Sequence, residues 1–167
     1  MGVQRKHPLT IAQLLLTALL HLFPHMSGNN RACIVRNFDA IAQVAEDAER
    51  ENGVPAAIML TVGFIETHNG CDHGEGGNWG APISPTRRHV AGAPRQAAVA
   101  LQHGFERCGS WIGAISRFRS GRCQIPASMS GYPRTAVRIM TRISRDAGVA
   151  LPVNIRPVRP TYPRCSQ

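Results

Sequence analysis

The chain has 167 residues and 18.1 kDa, the size of one ordinary domain able to bury its own core. Apolar residues at 43% and charged residues at 17% exclude a disordered or coiled-coil protein. Nineteen Lys+Arg against ten Asp+Glu give a net charge of +9, which draws the protein toward anionic partners: nucleic acid, anionic membrane or cell wall.

Residues 1–28 have the layout of a secretory signal peptide. Arg5, Lys6 and His7 open it, the apolar stretch Leu9 to Phe23 follows, and Pro24, Ser27 and Gly28 close it. The stretch is shorter than the roughly 20 residues of a membrane-spanning helix. Cleavage is expected after Ser27 or Gly28, although no small-x-small pattern marks the site, and it leaves 17 basic side chains against 10 acidic ones. The alternative is a buried amphipathic helix with an accidental basic start. Export implies a secreted or periplasmic protein, and five cysteines downstream of the segment agree with an oxidising compartment. Cys108 and Cys123 bracket one helical segment and are expected to pair. Cys33 and Cys71 flank one helical pair and are the second choice, which leaves Cys165 odd.

Downstream, Asn37-Phe38-Asp39 can cap a helix to about Glu51, with Ile41, Val44, Ala45 and Ala48 on one face. Gly53 ends it. Pro55 is placed as the first residue of a second helix running to about His68, apolar on every side and therefore the buried centre of the fold. Asn69 to Pro94 is loop-rich. Helical periodicity resumes over Gln96–Arg107, Trp111–Phe118 and Pro133–Asp146. In the last of these, Ala136, Met140, Ile143 and Ala147 face inward, and Arg134, Arg138, Arg142 and Arg145 share a solvated face. From Gly148 the prolines mark an extended tail. The fold class is mainly α, with signal peptide 1–28, one domain over 29–147 and a Pro/Arg-rich tail over 148–167.

The central helix ends in Ile65-Glu66-Thr67-His68, and Glu66 follows an all-apolar stretch. At that position it faces the negative end of the helix macrodipole. Partial burial there also disfavours charge, so both effects favour a carboxylic acid able to hold and donate a proton. The plain alternative is an ordinary acid turned to solvent at a helix end.

Gly53-Val54-Pro55 opening an apolar helix that closes on Glu66-Thr67, then Gly70, resembles the lysozyme-like lytic transglycosylase domain, in which such a helix carries the catalytic Glu. Gly77 to Ile83 stands at the family's glycine-rich loop, Ala97 to Gly121 at its helix pair, and Gly131-Tyr132 at the Tyr before its last core helix. The likeness covers about residues 33 to 147. It implies a lysozyme-like single domain with a buried central helix. It also implies cleavage of the β-1,4 bond between N-acetylmuramic acid and N-acetylglucosamine, with Glu66 as the single acid and base. By position it implies substrate contacts from Thr67, Gly80, Phe118, Arg119 and Tyr132. The sequence departs from the family where Thr67 stands for Ser, Phe118 for Tyr and Arg119 for Asn, and no Met-Gln follows Gly80.

Glycosidases normally use two carboxylates, whereas a lytic transglycosylase uses one and lets the sugar's own 6-hydroxyl replace water. Asp72 and Glu75 on the following loop keep lysozyme-type hydrolysis open. A third possibility is a non-enzymatic, basic cell-wall-binding protein of the same fold. His68, Cys71, Asp72 and His73 are dense but lack a zinc spacing, so no metal and no cofactor are expected. The C-terminal arginines recur once per helical turn with almost no aromatics among them, so nucleic acid is not expected as a partner. The expected partner is peptidoglycan glycan, met by a monomer without an integral membrane span.

Overall fold

A computed structural model of the chain describes residues 8–72, 79, 93–124 and 131–156. Among them lie seven helices and no strand: α1 (Ile11–Leu22), α2 (Gly28–Arg36), α3 (Phe38–Asn52), α4 (Ala56–Thr67), α5 (Ala93–Cys108), α6 (Trp111–Ser120) and α7 (Gly131–Asp146). The architecture is mainly α, as expected.

The first helix lies in the stretch expected as a signal peptide. The stretch placed in a signal peptide forms α1, with Ala12, Leu15, Leu16 and Leu19 essentially inaccessible and packed into the same core as the central helix. Thr10 begins it with a capping box: its hydroxyl accepts from the Gln13 amide and the Gln13 side chain accepts from the Thr10 amide. Gln13 also donates to Asp39 of α3 at 2.9 Å. The buried residues of α1 and those downstream of residue 28 belong to one hydrophobic cluster. Ser27, one side of the expected cleavage point, caps α2 by accepting from the Asn30 amide.

Helix α3 buries Ile41, Ala42, Ala45 and Ala48. It ends at Gly53, whose φ of 65° lets the Gly53 and Val54 amides reach back to the carbonyls of Glu49 and Ala48. Pro55 lies one position outside α4, where it caps the helix. Every residue of α4 from Ala56 to Phe64 is buried, so this helix runs through the centre, with α3 and α7 packed against it.

Helices α5 and α6 pack against each other. Gly104 lets the two approach, since a Cβ there would lie 3.1 Å from the Ala114 backbone. Phe105 stacks on Trp111 at 4.3 Å, and Cys108 is bonded to Cys123 across α6 as the spacing predicted. Ser110 caps α6 by accepting from the Gly113 amide. The next two amides, Trp111 and Ile112, donate to the carbonyls of Asn154 and Ile155. Residues 154 and 155, in the segment expected as an extended tail, are thereby paired with α6; residues 157–167, with Cys165, lie outside the described residues.

Candidate functional site

Three helix ends meet around Glu66. The residue sits in the last turn of α4 with its side chain 11% exposed. Tyr132, in the first turn of α7, donates its hydroxyl to Glu66 Oε1. Arg119, in the last turn of α6, places Nη1 3.4 Å from Glu66 Oε2, and its Cζ lies 5.7 Å from the centre of the Tyr132 ring. Residues 66, 119 and 132 are far apart in sequence, and their meeting here requires α4, α6 and α7 to pack together.

The chain leaves α4 directly behind Glu66 by an uncommon route. His68, Asn69 and Gly70 take positive φ values of 48°, 55° and 87° in succession. Two of these are not glycine, and such conformations persist only where the surroundings hold them. Three contacts hold them here. The Asn69 amide reaches back to the Gly63 carbonyl at 2.9 Å, the Gly70 amide donates to the Thr67 hydroxyl at 2.9 Å, and Cys71 is bonded to Cys33 of α2. Gly63 is needed in the same place. A Cβ on it would meet the Asn69 side chain at 2.8 Å and run into the ring of buried Trp79.

Of the residues expected at the site, Glu66, Arg119 and Tyr132 are brought together. Thr67 is next to Glu66 in sequence but buried, with its hydroxyl turned to the Gly70 amide, so it supports the turn. Phe118 packs partly buried against the core. Gly80 lies outside the described residues, as do His73 and Glu75. Cys71, considered above with His68 and Asp72, is a disulfide cysteine. Asp72 is engaged beside it: its Oδ1 lies 2.6 Å from His68 Nδ1 and accepts from Asn30 Nδ2 at 2.7 Å. No local pattern announces that link, because Asn30 and Asp72 belong to segments 42 residues apart.

The electrostatics of the site centre on Tyr132. Burial pushes its phenol far above the ordinary value, the hydrogen bond and charge of Glu66 push the same way, and Arg119 opposes them. Tyr132 is therefore a permanent donor to Glu66 at neutral pH. The arrangement offers one carboxyl group, fixed in direction by a phenol, beside a half-exposed cation. Compared with protein-family models, with curated proteins and with solved structures, the chain matches none.

Proposed function

We propose that this protein is a lysozyme-like lytic transglycosylase that cleaves the β-1,4 bond between N-acetylmuramic acid and N-acetylglucosamine in peptidoglycan, with Glu66 as its general acid and base. One observation carries the reading: three residues chosen from separate motifs, Glu66, Arg119 and Tyr132, converge on one carboxyl group at the end of the central helix. Glu66 donates its proton to the leaving glycosidic oxygen. The carboxylate so formed takes the proton of the sugar's own 6-hydroxyl as that oxygen attacks the anomeric carbon, giving a 1,6-anhydro product. Tyr132 aims Glu66 throughout, and Arg119 offers a positive charge to the carboxylate between the two proton transfers.

A single-acid mechanism suits what surrounds the site. Asp72, the described acid nearest in sequence after Glu66, is already engaged by His68 and Asn30. Two disulfides fit the oxidising compartment in which cell wall is met. Among the described residues no helix is long and apolar enough to cross a membrane.

The deciding experiment is mass spectrometry of muropeptides after digestion of isolated wall. Anhydro products are expected from the wild type. Glu66→Gln, nearly isosteric but without a proton to give, should lose at least about 10²-fold in rate with an unchanged circular dichroism spectrum. Comparable cleavage by the folded variant would refute the assignment, and hydrolysed ends would favour a muramidase.

A further inference from the structure

We infer that Arg119 is a receptor for the carboxylate that the substrate itself carries beside the bond to be cleaved, so that the preferred glycan has free muramyl lactyl groups rather than peptide-substituted ones. The inference rests on the reading of the site as peptidoglycan-cleaving. Its physical basis is the state of the guanidinium. Arg119 is 54% exposed, and its one contact to Glu66 is long at 3.4 Å. Glu66 is only 11% exposed, so Arg119 keeps its Nη1 toward that carboxyl while the exposed remainder of the guanidinium takes a second acceptor. An arginine fork carries five N–H donors. Nη1 faces Glu66, and Nε and Nη2 have no acceptor among the described residues. The side chain is not loose, however. It lies toward the ring of Tyr132 and lines a shallow recess with Ser116, Ser120, Tyr132 and Pro133. A cation held on one side by an aromatic ring, with two donors open, is ready for bidentate binding of a carboxylate.

The substrate has one such group in reach. With Glu66 at the glycosidic oxygen, Arg119 stands within about one sugar ring of the anomeric carbon. That same ring, muramic acid, carries the lactyl ether and its carboxyl. When a stem peptide is attached the carboxyl is an amide, neutral and with a single acceptor oxygen. When the peptide is absent it is a carboxylate that matches the fork.

Two muramyl oligosaccharides decide the matter, identical except that the lactyl carboxyls are free in one and capped as methylamides in the other. The full-length wild type is expected to show a KM about tenfold lower for the free acid, the size of a charge-assisted hydrogen bond. Arg119→Gln should bring the two glycans to the same KM, and Arg119→Lys should keep part of the difference. Equal KM values in the wild type, or a preference that survives in Arg119→Gln, would overturn the inference. If the wild type cleaves neither glycan, the enzymatic reading fails, and calorimetric Kd values for the same pair decide the receptor role. A preference for the acid that Arg119→Gln removes upholds it, and equal affinities overturn it.

Discussion

Tyr132 gives the site a signature that does not depend on turnover. In the folded chain its phenol holds its proton more tightly than in the unfolded chain, first through burial and then through Glu66. A folded-state value raised in this way contributes stability that is intact below about pH 10 and is lost as the pH rises further, by up to about 1.4 kcal/mol per pH unit. Denaturant unfolding of wild type and Tyr132→Phe between about pH 9 and pH 11 checks this, since only the wild type carries the Tyr132 slope. Parallel curves would mean that the Tyr132 phenol is neither buried nor held by Glu66 in the folded chain. Glu66 itself stood out in the sequence as a candidate, because an acid closing an apolar stretch breaks a pattern. Its two partners were legible only as motif positions. Their roles around Glu66 depend on how α6 and α7 dock, and no local spacing encodes that.

At the scale of elements, α1 separates what a sequence reveals from what it hides. Its leucines recur at helical spacing, yet the same apolar block serves equally as an export signal. In the structure α3, α4 and α7 all pack against it. Helix α2 was illegible for another reason: it buries only Cys33 and Ile34, too few to make a period. Helices α3 to α7 were readable because each combines a clear apolar stripe, or an all-apolar run, with Gly, Pro or Ser at an end. If α1 belongs to the working core, Leu19→Ala should cost about 2–5 kcal/mol. Leu9→Ala, at a residue 53% exposed, should stay within about 0.5 kcal/mol. Urea unfolding of the two variants measures both. A Leu19→Ala chain as stable as wild type would mean that α1 is dispensable to the fold.

At the scale of the whole molecule, α7 sets four cations on one exposed face. Helix α7 buries Pro133, Ala136, Ile139, Met140 and Ile143 and leaves Arg134, Arg138, Arg142 and Arg145 exposed. Exposed charges of one sign act at long range and are screened over about 8 Å at physiological ionic strength. Sedimentation with isolated wall should therefore show binding that weakens as salt rises, more steeply in wild type than in a variant with all four arginines changed to glutamine. Cleavage of a short uncharged glycan should be nearly indifferent to the same changes. Loss of that cleavage in a folded quadruple variant would place the arginines in the active site instead.

The pairing of residues 154 and 155 with the start of α6 carries over to the clock of amide exchange. The leading amides of a helix have no partner within it and ordinarily trade their hydrogens with solvent quickly. At Trp111 and Ile112 that role is filled by carbonyls from the far end of the described chain. Deuterium uptake at these two positions should therefore be slow in the full protein and fast in a chain ended at Val149, with Ile115 and Ser116 slow in both. Fast uptake in the full protein would mean that the segment is not docked. Slow uptake would make the two amides a built-in reporter of whether the end of the chain still steadies the helix that carries Arg119.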